Sequence, residues 1–180
     1  MIRLKPYTDL TPQEHQELLR VRNLETIRNA STETKIIDIS DHLQWIESLK
    51  TSNVKIYYAV IENETLRGGL HLIMNSDESA TWGIFFDPKT PLGLIASATL
   101  YFIDRSFEYF GRERLYSLIR NDNGGAIAFN RQLGFKPLEQ NDDFVHMELD
   151  KKGWIAQKEK KILKNILQYA TQYPIQSEQP

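Results

Sequence analysis

Residues 123–135 read NGGAIAFNRQLGF, and this stretch decides how the rest of the chain is interpreted. The apolar run Leu115 to Ile119 before it is typical of a strand, and Asn123-Gly-Gly forms a turn into a helix from Ala126 to Leu133. Gly134 can end that helix in a left-handed conformation that most residues avoid. The segment therefore predicts a strand, a short helix and a return into the sheet.

On both sides of this segment, the spacing of apolar residues predicts helices and strands in alternation. Further strands are predicted at Ile2–Tyr7, Val54–Ile61, Leu66–Met74, Ser79–Phe86, Phe135–Leu138 and Phe144–Leu149. Further helices are predicted from Thr11 to about Asn29, Asp41–Lys50, Leu94–Phe110 and Lys152 to about Ala170. This order predicts an α+β fold with a mixed, mostly antiparallel central sheet and helices on both faces. We expect one domain over residues 1–150, with a C-terminal helix and tail (151–180) as part of it.

The composition excludes several classes of protein. The 180 residues are 41% hydrophobic and 26% charged, which is ordinary for a globular domain. A net charge of -2 does not favour a nucleic-acid partner. With no cysteine, disulfides and thiolate metal sites are excluded, and no metal is expected. The charged N-terminus predicts no signal peptide, no segment predicts a membrane span, and we expect a cytoplasmic protein.

The junction at Gly93 predicts an anion site. A strand ends at Phe86, a loop follows, and Gly93 opens a long uncharged helix. Unpaired N–H groups at the positive end of a helix suit a pyrophosphate, and here they would come from Gly93, Leu94, Ile95 and Ala96. Neither a G-x-x-x-x-G-K-[ST] nor a G-x-G-x-x-G motif is present, so nucleoside triphosphates and dinucleotides are not favoured.

Residues 123–135 resemble the closing motif of the GCN5-related N-acetyltransferases (GNATs), in which an Asn is followed by a short helix ending in Gly-Phe. The spacing matches at Asn123, Ala126, Gly134 and Phe135. Residues 82–88, with the helix at Gly93, look like that family's acyl-CoA motif. The order of elements agrees from residue 1 to about 150.

This resemblance implies the GNAT fold and an enzyme that moves acetyl from acetyl-CoA to a primary amine. The pantetheine of acetyl-CoA would add to the free edge of the strand around Ile84 to Phe86. The implied acetyl-CoA contacts are Ile84, Phe85, Phe86, Gly93, Leu94, Ile95, Ala96, Asn123 and Phe129.

The proton transfers depart from the family's pattern. Asn130 stands where the family commonly has a Tyr that protonates the departing thiolate. An amide can donate a hydrogen bond to sulfur but does not titrate, so Asn130 is assigned that weaker role. Thr81 and Trp82 occupy the positions of strand 79–86 where a base would be sought. The proton of the amine is therefore assigned to a solvent chain ending at His42, with His71 as the alternative.

Residues 21–45 suggest the acceptor. Val21-Arg22-Asn23, Ile27-Arg28, Ser31, Ile39, His42 and Trp45 resemble the N-acetyltransferases that act on nucleotide-linked 4-amino sugars on the way to pseudaminic acid. This implies a small amine acceptor such as a UDP-aminosugar, held by Arg22, Asn23, Arg28 and Trp45. Arginine binds phosphate in a bidentate way, although these arginines also fit a solvated helix surface.

Other functions remain open at this point. Ribosomal-protein N-terminal acetyltransferases share part of the same layout. The missing Tyr also fits a non-catalytic acyl-CoA-binding module, and a purely structural or partner-binding domain would leave the Gly93 junction without a ligand. We expect a monomer or a homodimer.

Overall fold

A single eight-stranded sheet runs through the chain. The computed structural model describes residues 1–176. Its strands are β1 (Ile2–Pro6), β2 (Lys55–Glu62), β3 (Thr65–Met74), β4 (Ser79–Phe86), β5 (Arg114–Arg120), β6 (Lys136–Gln140), β7 (Phe144–Asp150) and β8 (Ile175–Gln176). Its helices are α1 (Pro12–Arg22), α2 (Glu25–Asn29), α3 (Ile39–Lys50), α4 (Leu92–Glu108), α5 (Gly124–Leu133), α6 (Lys151–Lys158) and α7 (Lys161–Ala170).

The sheet order is β6-β7-β5-β4-β3-β2-β1-β8. All neighbouring strands are antiparallel except β4 with β5 and β1 with β8, which are parallel. One hydrophobic cluster packs α4 and α7 against one face, and a second packs α1 and α3 against the other. The predicted α+β fold, with a mostly antiparallel sheet and helices on both faces, is confirmed.

Most predicted elements are confirmed with small shifts at their ends. β2 begins at Lys55, β6 begins at Lys136, and Tyr7 belongs to a 3₁₀ turn rather than to β1. The predicted left-handed glycine at the end of α5 is confirmed, since Gly134 has φ of 100°. Helix α3 begins at Ile39 rather than Asp41, because the Asp38 side chain accepts a hydrogen bond from the Ser40 N–H and caps it there.

The prediction of one helix from Thr11 to Asn29 is wrong. Helix α1 ends at Arg22, Leu24 is extended with ψ of 134°, and the short α2 follows. The Asn23 side chain explains the break, because it pairs with the main chain of Ile37. Its Nδ2 donates to the Ile37 carbonyl at 2.8 Å, and its Oδ1 accepts from the Ile37 N–H at 2.9 Å. Asn23 thus ties the loop between α2 and α3 to the end of α1.

The C-terminal part folds back over α4. The predicted single helix is two helices, because Lys160 is extended with ψ of 142° between α6 and α7. The Ser97 hydroxyl of α4 donates to the carbonyl of Tyr173 at 2.7 Å, and β8 pairs with β1. The last predicted tail residues, 177–180, lie outside the described residues. No helix within residues 1–176 combines the length and the apolar character needed to cross a membrane.

The role of Asn23 predicts a stability effect. Replacing Asn23 with Ala removes two hydrogen bonds, each with a net contribution of about 0.5–1.5 kcal/mol, so the free energy of unfolding should fall by about 1–3 kcal/mol. Urea denaturation measures the change. Asn29→Ala is the matched control, because Asn29 is exposed at the end of α2. An Asn23→Ala variant as stable as this control would contradict the assignment.

Candidate active site

The central strands β4 and β5 separate partway along their length. Parallel pairing joins Ser79–Thr81 to Arg114–Tyr116 and then stops. From Trp82 to Phe86, β4 has no strand on that side within the described residues, although β3 pairs with it as far as Phe86. The gap leaves backbone N–H and C=O groups of β4 free. An extended ligand that carries amides can bind such an edge as an added strand.

A cleft of about 300 Å³ opens at the end of this gap. The last residues of β4 form one wall, α2 and the residues that follow it form another, and Asn123 lies at the start of α5. The predicted acetyl-CoA contacts Ile84, Phe85, Phe86 and Asn123 therefore surround one cavity. Phe129 lies on α5 and packs, partly buried, against the core cluster beside it.

The start of α4 differs from the prediction. The helix begins at Leu92 rather than Leu94, because Pro91 occupies the N-cap. The N–H groups of Leu94 and Ile95 both donate to the Pro91 carbonyl, at 3.0 and 3.1 Å. Ala96 lies a full turn inside the helix, where its N–H belongs to the helix itself. Of the four predicted N–H donors, only that of Gly93 remains available for an anion. The N–H of Leu92, which was not predicted, is available as well.

The loop before α4 offers few further donors. Pro88 and Pro91 have no N–H. The N–H of Lys89 donates to the Asp87 carboxylate at 2.9 Å, and that of Thr90 donates to the Asp87 carbonyl at 2.8 Å. Gly93 also lies close to the C-terminal segment, since a Cβ at this position would be 2.7 Å from the Tyr173 ring. An anion at this helix start would therefore meet a narrow pair of main-chain amides.

The side chains of Asn123, which precedes α5, and Asn130, which lies within it, make different hydrogen bonds. The Asn123 side chain caps the helix, because its Oδ1 accepts from the Ala126 N–H at 3.1 Å. Asn130 is 5% exposed, and its Nδ2 donates to the Ala126 carbonyl at 2.9 Å. The Asn130 Oδ1 is buried with no hydrogen-bond partner in the described chain. A buried amide oxygen without a donor is costly, so this atom marks a polar position that a ligand or solvent can satisfy.

Aromatic side chains line the face of β4 that is covered by α1 and α3. The rings of Tyr57 and His71 stack at 5.2 Å with 18° between their planes. Trp45 meets Tyr57 edge-on at 4.9 Å, so the predicted acceptor contact Trp45 belongs to this group. The His71 ring extends over Gly83 of β4, which has no side chain to exclude it.

Arg22 carries an unpaired charge beside this aromatic group. Its guanidinium lies 5.9 Å from the centre of the Phe85 ring. Nη2 makes a long bond of 3.4 Å to the Glu33 carbonyl, and Nη1 is buried with no partner in residues 1–176. Burial lowers the pKa of Arg22, because a partly buried guanidinium loses some of its solvation by water. A partly buried guanidinium with a free donor is suited to an anionic ligand.

The other two predicted acceptor contacts on this side are engaged elsewhere. The Asn23 side chain is occupied by Ile37, as described above. Arg28 donates through Nε to the Asn23 carbonyl at 3.1 Å and through Nη1 to the Thr34 carbonyl at 2.7 Å. Both side chains hold the loop after α2. We therefore assign both residues to shaping that loop and no longer to direct contact with the acceptor. Of the two predicted arginines, Arg22 is the one whose charge is available to the acceptor.

His42 is not placed to serve the gap between β4 and β5. It is 6% exposed, and its Nε2 lies 3.1 Å from Nδ1 of His15, which is equally buried. Burial and then His15 hold the pKa of His42 at about 4. The two rings share a hydrogen bond between α1 and α3, so their polar atoms satisfy each other. This packing explains His42 as a structural residue, and the alternative His71 lies against β4 instead.

The sequence did carry a signal for the arrangement around His71. An isolated glycine inside a strand often marks the close approach of another group, and Gly83 is such a residue. The available amide of Leu92 had no such signal, because the position of the helix start depends on the Pro91 cap. Within residues 1–176, no three His, Asp or Glu side chains gather as a metal site.

The buried histidines predict a pH dependence of stability. Burial first, and then Arg22, lowers the pKa of His71 to about 4, as burial does for His42. Unfolded histidines titrate near about pH 6.5, so the unfolded state binds more protons below that pH. The free energy of unfolding should therefore fall as the pH drops from about 6.5 towards 4. In urea denaturation across this pH range, the free energy of unfolding should fall less steeply for His42→Gln than for His146→Gln. Equal slopes would contradict the burial of a neutral His42.

The comparisons with known proteins agree with this geometry. No protein-family model matches the chain. It is 28% identical over 148 residues to the acetyltransferase PseH of Campylobacter jejuni strain 81-176, covering 82% of this chain and 92% of that protein.

Two solved structures share the fold. The C. jejuni N-acetyltransferase PseH in complex with acetyl coenzyme A has a TM-score of 0.69 and 23% identity, over 84% of this chain and 99% of that one. FdhC, described as a nucleotide-linked sugar GNAT, has a TM-score of 0.72 and 16% identity, over 94% of this chain and 92% of that one. The separated central strands, the order of elements and these likenesses show that the chain has the fold of the GCN5-related N-acetyltransferases and a sequence similar to that of a PseH acetyltransferase.

Proposed function

We propose that this protein transfers the acetyl group of acetyl-CoA to the amine of a nucleotide-linked 4-amino sugar, with a UDP-aminosugar as the favoured acceptor. The observation that carries the proposal is the gap between β4 and β5 with its adjoining cleft. The gap supplies a place for a thioester carrier, and the face beneath α1 supplies an unpaired cation for a phosphate-bearing acceptor.

The donor side fits acetyl-CoA in three respects. The free edge of β4 offers backbone partners for the two amides of pantetheine. The amides of Leu92 and Gly93 lie at the positive end of a 17-residue helix, which favours the pyrophosphate. The cleft at the end of the gap, lined by Ile84 and Phe86, adjoins the free edge of β4. With only two amides available at the helix start, the strand edge contributes the larger share of the contacts.

The acceptor side fits a nucleotide-linked sugar through Arg22. Its free Nη1 can donate to a phosphate oxygen of the acceptor, which would relieve the cost of an unpaired buried cation. The aromatic rings of Trp45 and Tyr57 nearby offer faces for a sugar or a base. A polyamine or a basic peptide would place positive charge against Arg22 instead, so this charge disfavours those acceptors.

Most of the rate would come from holding the two reactants in line. Alignment can account for about 7–11 kcal/mol of a bimolecular barrier. A backbone N–H at the free edge of β4 could stabilise the developing oxyanion, a kind of interaction that can contribute about 2.7–4 kcal/mol. Neither effect needs a titrating side chain, which is consistent with the absence of the family's Tyr at position 130.

Two measurements test this function. Acetyl-CoA at about 100 times its Kd should raise the stability by about 2.7 kcal/mol, seen as a thermal shift. Thiol release should then be observed with a nucleotide-linked 4-amino sugar and should be much slower with spermidine or a basic N-terminal peptide. Acetyl-CoA binding without thiol release from any amine would support a non-catalytic binding module. Release with the peptide alone would support a protein N-terminal acetyltransferase.

Arg22→Gln tests the acceptor site. Hydrogen bonds to charged groups contribute about 1.5–3 kcal/mol, so the KM for the nucleotide-linked aminosugar should rise by about tenfold or more. The KM for acetyl-CoA and for the same aminosugar without its nucleotide should not change. Arg20→Gln is the matched control, since Arg20 lies on the same helix but pairs with Glu17 and Asp87. Equal KM values in the two variants would remove Arg22 from the acceptor site.

Asn130→Ala tests the predicted contact with the sulfur, which the second N–H of Nδ2 would make, because the first donates to the Ala126 carbonyl. Loss of a hydrogen bond to the departing thiolate should lower kcat by about tenfold or more while leaving acetyl-CoA affinity within about twofold. Gln132→Ala, exposed on the same helix, is the control for α5. Unchanged turnover and unchanged acetyl-CoA affinity in Asn130→Ala would show that Asn130 has a structural role only.

A further inference from the structure

One residue of β4 leaves an opening at the point where the central strands separate. Gly83 is the second residue after the last paired position, Thr81, and it pairs with His71 across the sheet. A Cβ built on Gly83 would contact Cε1 of His71 and lie 2.8 Å from its Nε2. The imidazole of His71 therefore fills the space that a β4 side chain would otherwise occupy.

The His71 ring is held by packing, and its nitrogens have no hydrogen-bond partner within residues 1–176. It stacks on Tyr57 from one side and covers Gly83 on the other. Of the four histidines, only His15 and His42 form a ring-to-ring hydrogen bond within the described residues. His71 is half-buried, and its ring lies over Gly83, a residue in the part of β4 that borders the gap.

We infer that His71 is the catalytic base that takes the proton from the acceptor amine. This inference rests on the proposed function. The amine nitrogen forms a bond to the thioester carbonyl carbon, the bond from that carbon to sulfur breaks, and the amine proton passes to a ring nitrogen of His71. The thiolate takes a proton from solvent to give the free thiol of CoA, and His71 returns its proton to solvent. The strand β4 carries no Asp or Glu that could compete for this role.

The charges around His71 keep it in the neutral form that the step needs. Within residues 1–176, Tyr57 of β2 stacks on His71, Arg22 of α1 acts on it electrostatically, and Gly83 contributes no charge. Burial first, and then the Arg22 cation, lowers the pKa of His71 to about 4. A proton-free imidazole can accept a proton at neutral pH.

Arg22 also couples the base to the acceptor. A phosphate bound to Arg22 would offset the cation that opposes protonation of His71, and so raise the pKa of His71 towards the working pH. A base is most effective when its pKa is close to that pH. The acceptor's own phosphate would thus strengthen the base that acts on its amine, whereas an amine without a nearby phosphate would not.

The decisive experiment compares His71→Gln with His42→Gln in thiol release from a nucleotide-linked aminosugar. General bases contribute about 10²- to 10⁴-fold, so His71→Gln should lose at least about 100-fold in kcat and the acidic inflection of its pH profile. Its thermal shift with acetyl-CoA should remain. Gly83→Ala leaves residue 71 as histidine, but its added methyl group would displace the His71 ring. It should therefore show the same loss of kcat. His42→Gln should keep its kcat within about threefold.

The outcomes separate this inference from the proposed function. An active wild-type protein whose His71→Gln variant keeps its rate, or keeps the acidic inflection, would overturn the role of His71 alone. A wild-type protein that releases no thiol with any aminosugar would overturn both. Histidine NMR gives a readout without turnover: addition of UDP, or Arg22→Gln, should raise the pKa of His71, and no change in either would overturn the coupling through Arg22.

Discussion

The separation of β4 from β5 is the constraint on which the rest of the site depends. Each strand is paired along its other side, β4 to β3 over Gly68–Met74 and β5 to β7 over Arg114–Arg120. Neither strand can therefore move across to close the gap without losing a whole ladder of hydrogen bonds. This pairing holds the two strands apart, and unpaired backbone groups remain at the centre of the sheet, where they would be costly without a ligand or water.

The two faces of β4 offer different chemistry. On the α4 side, the apolar Trp82, Ile84 and Phe86 pack towards the larger core. On the α1 side, Gly83 and Phe85 lie beside His71 and Arg22. A carrier threaded through the gap would thus present its thioester between an apolar wall and a face that carries a base and a cation. This asymmetry is why we propose that β4 borders both the donor and the acceptor.

The sequence predicted the strand–helix–strand unit around Asn123 and Gly134 because capping and left-handed glycine act locally. It could not predict the break at Asn23, since the hydrogen bonds that cause it reach Ile37 fourteen residues away. His42 and His71 were both candidates for the base by residue type. Tertiary packing alone separates them: His42 is paired with His15, whereas the absent side chain of Gly83 leaves room for the His71 ring over β4 beside the gap. The predicted positions of the free N–H groups at α4 were wrong because Pro91, rather than Gly93, sets the helix start.

Amide hydrogen exchange with and without acetyl-CoA can locate the donor, since it reads the backbone of β4 residue by residue. We expect acetyl-CoA to slow exchange in Trp82–Phe86 and at Leu92 and Gly93, with little change in α3. Exchange at these amides that stays the same while acetyl-CoA is bound, or protection confined to other elements, would contradict the claim that the gap between β4 and β5 holds the acetyl donor.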